Sequence, residues 1–181
     1  MQMNDGIGKR DLFLLRHAKS DWPEGVDDRD RPLSDRGRRA APMMAAHMAQ
    51  SGYRPDLVLV SPARRTRETW ELVRPALAGD FTAREIDGLY AADAETISAA
   101  IGAMGSGYGS ILVIGHNPGL EDLAKSLSED DASEAAERMR WKYPTAALAH
   151  FSVALQDWAT LGPENSELLS FVTPKSLLGR R

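Results

Sequence analysis

The chain has 181 residues, of which 43% are hydrophobic and 27% charged, a composition typical of one globular domain. It contains no cysteine, which excludes disulfides, thiolate metal sites and cysteine nucleophiles and fits a reducing compartment. Its formal net charge of −4 argues against a general nucleic-acid binder, and no apolar run reaches the roughly 18 residues of a membrane span. We therefore expect a single cytoplasmic domain over residues 1–181, with a flexible N-terminal segment over 1–10.

Six continuously apolar or alternating segments predict β-strands. In chain order they cover residues 11–15, 56–61, 81–86, 111–114, 145–155 and 167–172. Helices are predicted from a cap at Ser34 to about residue 50, and over residues 64–77, 94–104 and 119–127. Pro42 lies inside the first helix and is expected to kink it or shift its start. Strands that alternate with helices predict an α/β fold, here a three-layer α/β/α sandwich with a mostly parallel central sheet.

Polar side chains follow three of the apolar strands at the point where each strand ends. LFLLRH delivers Arg16 and His17, LVLVSPARR leads into Arg64 and Arg65, and ILVIGH ends at His116. Because ligands bind at the carboxyl ends of parallel strands, we expect side chains from all three to share one pocket. Histidine can act as nucleophile, acid or base near neutral pH, and arginine matches phosphate oxygens. The pattern therefore indicates a site that holds and attacks a phosphate group.

These segments resemble the signature of the histidine phosphatase (phosphoglycerate-mutase-like) superfamily. LRHAKSDW is similar to its first-histidine segment, SPARRTRET to its S-P-x-x-R-x-x-x-T segment, and GHNPG to its second-histidine segment. Order and spacing match from about residue 11 to residue 127, and the short chain is most similar to the SixA-type phosphohistidine phosphatases. In the middle segment Arg65 takes the position of the family arginine. Arg64 is one residue out of register and is expected to face elsewhere.

The resemblance implies roles for five residues. His17 would be the nucleophile that forms a phosphohistidine intermediate, and Arg16 and Arg65 would bind the phosphoryl oxygens. His116 would donate to the same oxygens, and Ser20, which matches a serine of the mutase-like pattern, would contact the phosphate. Neighbouring cations are expected to lower the pKa of His17 and keep it neutral. We expect no metal and no cofactor, because no H-x-H or H-x-x-x-H spacing is present and the arginines would repel a cation.

The two proton donors that are usual in the family are both absent from their motif positions. Many members carry a glutamate where this chain has Ala91, and another branch carries an aspartate where it has Asn117. Asp21, Asp87 and Asp93 are candidate substitutes, and the sequence does not choose among them or exclude a site without a donor. Alkyl phosphates have poor leaving groups and need a donor, whereas phosphohistidine can leave as a neutral imidazole.

We therefore expect a metal-independent phosphatase whose favoured substrate is a phosphohistidine-bearing protein. Two alternatives stay open: a phosphatase for a small sugar or nucleotide phosphate, and a module that recognises phosphate without turnover. We expect no nucleic-acid or membrane partner, and we expect the chain to act as a monomer. The segments 18–33 and 128–144 could both fold over the site.

Several other polar or aromatic residues have simpler interpretations. His47, within the first helix, is expected at the surface or at the boundary between surface and core, and His150 in the core, packed or hydrogen-bonded. Trp22 is either a loop anchor or a surface on which a substrate stacks. The cluster of Arg36, Arg38 and Arg39 is either a contact for an acidic partner or, as we expect, a solvated helix face. The charged run 28–31 is expected to brace its loop by ion pairs at the rim of the site. The acidic run 129–137 is expected to be a solvated helix or loop.

Overall fold

The computed structural model describes residues 8–179, in which six strands form one sheet. The strands are β1 (Lys9–Arg16), β2 (Leu57–Val60), β3 (Thr82–Glu85), β4 (Ser110–Gly115), β5 (Leu148–Ala154) and β6 (Ser166–Val172). Their order across the sheet is β3-β2-β4-β1-β5-β6. The first four strands of that order run parallel, whereas β5 is antiparallel to both of its neighbours. The sheet is therefore mixed, and its parallel part holds the three strands that end in polar motifs.

Helices cover both faces of this sheet. They are α1 (Asp35–Gln50), α2 (Arg64–Val73), α3 (Ala94–Met104), α4 (Gly119–Leu127), α5 (Glu134–Trp141) and α6 (Pro174–Leu178). Because side chains alternate along a strand, Leu12 and Leu14 pack with α3, α4 and α5, and Phe13 and Leu15 pack with α1, α2 and α6. The predicted three-layer α/β/α fold is confirmed.

The helix ends follow local capping chemistry. Ser34 accepts a hydrogen bond from the Gly37 amide at 3.2 Å, and α1 starts at the next residue and runs through Pro42 to Gln50. Of the two effects expected of Pro42, a shift of the helix start does not occur. α2 ends at Val73, earlier than predicted, and a 3₁₀ turn that contains Pro75 continues the chain over Arg74–Ala76.

Other boundaries differ where the chain turns. β1 begins at Lys9, two residues before the predicted strand, and residues 1–7 of the predicted flexible segment lie outside the described residues. β5 begins at Leu148 and not at residue 145, because Ala146 adopts a positive φ of 61° in the preceding turn. The acidic run leads into α5, which is not only solvated, since it buries Ala136 and Met139. No helix within residues 8–179 combines the length and hydropathy needed to cross a bilayer.

Candidate active site

The carboxyl ends of β1 and β4 bring two histidines together. In the parallel register of these strands Arg16 lies opposite Gly115, and the His17 amide donates to the Gly115 carbonyl at 3.0 Å. His17 and His116 each directly follow their strands, and their ring centroids lie 5.2 Å apart. The structure therefore places the two motif histidines side by side at one edge of the sheet.

His17 is held in a single neutral form with one free ring nitrogen. Its Nδ1–H donates to the Ala18 carbonyl at 2.8 Å, because a carbonyl oxygen can only accept. In the neutral imidazole Nε2 then carries the lone pair. Burial, which leaves the residue 7% exposed, lowers the pKa of His17 to about 3, although its hydrogen bond to Ala18 opposes that shift. An unprotonated Nε2 is the form of histidine that acts as a nucleophile.

His116 is oriented by Ser61, at the end of β2. Ser61 Oγ and His116 Nε2 are 2.6 Å apart, and His116 Nδ1 is buried without a hydrogen-bond partner. Burial, with the positive charge of Arg65 as the next cause, lowers the pKa of His116 to about 4. Both histidines of the pair are thus neutral at physiological pH.

Arg16 is anchored through one end of its guanidinium. Its Nη1 donates to the Tyr143 carbonyl at 2.8 Å, and its buried Nε has no hydrogen-bond partner. Burial lowers the pKa of Arg16 from its ordinary value, and the nearby Glu121 carboxylate opposes this shift. Because a guanidinium group keeps its positive charge at neutral pH in proteins, Arg16 brings a cation close to His17.

Arg65 is buried, whereas its neighbour Arg64 turns away. Arg65 Nη1 donates to the Asp28 carbonyl at 2.5 Å, and its Nη2 pairs with Asp28 Oδ2 at 3.1 Å. Tyr90 donates its hydroxyl to the same Oδ2 at 2.7 Å, and this bond is the largest cause that holds the pKa of Asp28 well below its usual range. Arg64 is exposed, as expected from its position in the motif, and it pairs with Glu68 at 2.7 Å.

Thr69 ties the start of α2 to the loop after β1. Its hydroxyl donates to the Arg65 carbonyl at 2.7 Å and accepts from the Ala18 amide at 3.0 Å. Ala18 also receives the His17 hydrogen bond, so one short network fixes the orientation of the first histidine relative to Arg65.

Ser20 is buried, and its hydroxyl is engaged by a side chain of its own loop. It accepts from Arg31 Nη2 at 2.5 Å, and Arg31 also pairs with Asp28 at 2.8 Å. The guanidinium carbon of Arg31 lies 3.1 Å from the ring centroid of Trp22, which is 70% exposed. The 18–33 segment thus folds against Arg65, and Trp22 covers an arginine of this loop.

The three candidate proton donors lie in other environments. Asp21 is exposed and accepts from the Trp22 amide at 3.0 Å. Asp87 is 88% exposed and pairs with Arg29 at 3.1 Å. Asp93 caps α3 by accepting from the Thr96 amide at 2.8 Å, and hydrogen bonds from Thr96 lower its pKa. The described hydrogen bonds and ion pairs link none of the three carboxylates to either histidine.

Neither of the two positions where the family carries a proton donor holds an acidic residue in this chain. Ala91 has no ionisable group and adopts a positive φ of 51°. Asn117 Nδ2 donates to Glu121 at 2.7 Å and to the Tyr143 carbonyl at 3.0 Å. Asn117 therefore braces the carbonyl that also holds Arg16.

Sequence reasoning missed the partners that orient the motif residues. Asp28 was identified only as a rim residue, yet it binds Arg65 across 37 positions of sequence. Ser61 and Thr69 belong to the recognised S-P-x-x-R-x-x-x-T segment. Their hydroxyl groups could have indicated hydrogen bonds to the site residues. The Tyr143 carbonyl carried no signal, because any residue has one.

Together these groups suit a tetrahedral oxyanion. Two guanidinium groups and a second imidazole lie near the neutral His17, and Arg16 Nε and His116 Nδ1 are buried polar atoms without protein partners. Buried polar groups are normally satisfied, so donors of this kind are what an anion would engage. Within residues 8–179 no group of three or more His, Asp or Glu side chains is placed to hold a metal ion.

Comparison with known families places this site in context. Residues 12–90 match the model of the histidine phosphatase superfamily (branch 1). An uncharacterised protein of Mycobacterium tuberculosis is 36% identical over 163 residues, which cover 89% of this chain and all of the relative.

The fold is also similar to solved structures. A protein of Agrobacterium tumefaciens, provisionally named phosphohistidine phosphatase SixA, is 32% identical with a TM-score of 0.77 over 91% of this chain and 98% of its own. A Nakamurella multipartitia protein with the same provisional name is 29% identical, with a TM-score of 0.80 over 94% and 99%. A protein histidine phosphatase SixA solved with tungstate is 25% identical, with a TM-score of 0.73 over 92% and 99%.

Proposed function

The chain belongs to the histidine phosphatase superfamily and is SixA-like, and from this premise we propose that it dephosphorylates phosphohistidine in proteins, without a metal, through a phosphohistidine intermediate on its own His17. The observation that carries the proposal is the state of His17. Its imidazole is buried and neutral, its Nδ1–H is bound to Ala18, and its Nε2 is left as the reacting atom.

The reaction proceeds in two displacements. His17 Nε2 attacks phosphorus, a phosphorus–nitrogen bond forms on His17, and the bond to the substrate histidine breaks. Water then attacks the phosphoryl group on His17, which releases inorganic phosphate and restores the neutral imidazole. Arg16, Arg65 and His116 offset the charge on the phosphoryl oxygens in both steps. For His116 to donate through Nδ1, the Ser61 hydroxyl donates to Nε2, which fits their 2.6 Å separation.

Among the described residues no hydrogen bond or ion pair links a carboxylate to His17 or His116, which supports phosphohistidine as the substrate class. The Asp28 carboxylate pairs with Arg65, and its pKa is held well below the usual range, so Asp28 stays ionised. A phosphohistidine whose second ring nitrogen is already protonated leaves as neutral imidazole and needs no donor, because imidazole titrates near about 6.5. An alkoxide leaving group, in contrast, needs a proton from a general acid to leave as a neutral alcohol.

A substrate comparison tests this proposal. In buffer with EDTA, kcat/KM for a phosphohistidine protein is expected to exceed that for glucose 6-phosphate by about 10² or more, the usual contribution of a general acid. EDTA itself is expected to have no effect. Faster turnover of the sugar phosphate would favour the small-molecule alternative. Phosphate binding without release from either substrate would favour the recognition module.

The neutral histidines also predict an unusual titration. The pKa values of about 3 for His17 and about 4 for His116 mean that neither ring takes up a proton as pH falls from 8 to 5. In NMR titrations their Cε1–H shifts are therefore expected to stay constant over that range, with His17→Asn and His116→Asn used for assignment. A midpoint near 6.5 for either ring would contradict the account.

The same pKa values set the direction of the stability change. The unfolded chain protonates both imidazoles near about pH 6.5, whereas the folded chain does not. Because the unfolded state then binds more protons, the free energy of unfolding is expected to fall as pH decreases from about 6.5 towards 4. Urea denaturation at pH 7 and pH 5 measures this difference.

A further inference from the structure

A basic groove lies where α5 ends and α1 and α6 begin. It encloses about 750 Å³. Its lining consists of Arg36, Glu137, Arg138, Trp141, Lys142, Pro144, Phe171, Thr173, Lys175 and Ser176. Four of these ten residues are cations and one is a carboxylate, which contrasts with the net charge of −4 of the whole chain. We call this surface the basic groove.

Three of the four cations are available to a partner. Arg138 is paired with Glu134 at 2.6 Å. Arg36, Lys142 and Lys175 are exposed, and within residues 8–179 none of the three forms an ion pair. Like charges gathered without counter-ions raise the local potential and attract an anionic partner.

An exposed tryptophan adds apolar surface to the same groove. Trp141 ends α5 and is 88% exposed, more than any other large hydrophobic residue among those described. Tryptophan is enriched at the energetic centres of protein interfaces, where its ring is buried by the partner. A mixture of cations and one large aromatic ring suits a polypeptide better than an isolated small anion.

The basic groove shares residues with a smaller pocket that reaches the loop after His17. A small adjoining pocket is lined by Lys19 together with Arg36 and Lys175, and Lys19 lies two residues after His17. Gly37 near the start of α1 packs so tightly on the Lys19 backbone that a Cβ there would clash with its carbonyl. On the other side Lys142 precedes Tyr143, whose carbonyl binds Arg16. A polypeptide with its phosphorylated side chain at His17 would therefore lie next to these cations.

We propose that the basic groove docks an acidic segment of the phosphorylated protein on which the chain acts. This inference depends on the proposed function, and it names what selects the protein partner. Charge complementarity determines the occupant: carboxylates of the partner pair with Arg36, Lys142 and Lys175, and Trp141 packs on the same segment.

Two synthetic phosphohistidine peptides of equal length provide the test. One carries glutamates on both sides of the phosphohistidine and the other carries glutamines. Wild type is expected to have about tenfold higher kcat/KM for the acidic peptide, the sum of three exposed ion pairs. This preference is expected to disappear at high salt.

A charge-reversal variant locates the preference. Arg36→Glu/Lys142→Glu/Lys175→Glu is expected to bring the ratio of kcat/KM values to about one or below, with turnover of free phosphoramidate unchanged. The control Lys9→Glu/Arg54→Glu/Arg84→Glu alters three exposed cations outside the groove by the same charge and is expected to keep the wild-type ratio. Trp141→Ala, which introduces no charge, is expected to lower kcat/KM for the acidic peptide severalfold and serves if the triple variant does not fold.

The outcomes separate docking from catalysis. A wild-type ratio in the reversal variant, or an unchanged kcat/KM for the acidic peptide in Trp141→Ala where that variant stands in for it, overturns the docking proposal. Binding of heparin or of anionic phosphatidylserine vesicles as tight as that of the acidic peptide also overturns it, because the surface would then be a general polyanion or lipid site. Absence of phosphate release in wild type defeats the proposed function instead. Fluorescence anisotropy of the labelled, unphosphorylated acidic peptide still measures docking in that case.

Discussion

Replacing His17 by alanine is expected to lower phosphate release by at least about 10³-fold while the chain remains folded. The variant lacks Nε2, the atom on which the phosphoryl group is proposed to be carried. Steady-state release from a phosphohistidine protein, with circular dichroism to verify folding, measures the effect.

A second histidine gives the matched control. His47 is half-buried on α1 and packs edge-on against Tyr53, with ring centroids 5.9 Å apart. His47→Asn is expected to leave kcat/KM within about twofold of wild type, since surface and boundary changes away from a site have small effects. Comparable losses in both variants would mean that damage to the fold, and not removal of the nucleophile, explains the result for His17.

Replacing Arg65 by lysine is expected to lower kcat/KM by about 10²-fold, with the same charge retained. Lysine is a point charge and cannot hold the Asp28 carbonyl and carboxylate while it also presents a planar pair of donors to phosphate. Initial rates over a range of substrate concentrations separate the effects on kcat and KM.

The adjacent arginine is the control for this substitution. Arg64→Lys removes an exposed guanidinium that pairs with Glu68, and its kcat/KM is expected to stay within about twofold of wild type. The two variants differ by one position in the same motif. A larger loss in Arg64→Lys than in Arg65→Lys would show that the register assigned to the motif is wrong.

The sequence predicted those site residues that directly follow a strand. LFLLR, LVLV and ILVI are continuously apolar because both faces of these strands are buried, and that pattern located the residues that follow them. Parallel pairing then places the ends of β1 and β4 at one edge of the sheet. For this reason His17 and His116 could be paired across about 100 residues before any contact was known.

The sequence did not predict contacts that depend on how a loop folds back. Asp28 reaches Arg65 only because the 18–33 segment lies against α2, and no period or motif specifies that path. Ser20 illustrates the same limit. Its predicted contact with phosphate stays a prediction, and in the structure its hydroxyl accepts from Arg31.

The C-terminal third was the least predictable part of the fold. Half of the residues of α5 are charged, so its hydrophobic periodicity is weak, and the helix is fixed by burial of Ala136 and Met139 against the core. α6 is only five residues long and is capped by Thr173, too short for a periodic signal. The cytoplasmic location and the monomeric state stay predictions from the sequence.

The most direct test of the account is to find the phosphoryl group on the chain. The chain is mixed with a radiolabelled phosphohistidine protein, quenched within milliseconds in alkali and digested for mass spectrometry. The account predicts label on His17 that is stable in alkali and lost in acid, and that disappears as inorganic phosphate is formed. Phosphate release at full rate with no labelled chain at any time, or with label on a residue other than His17, would contradict it.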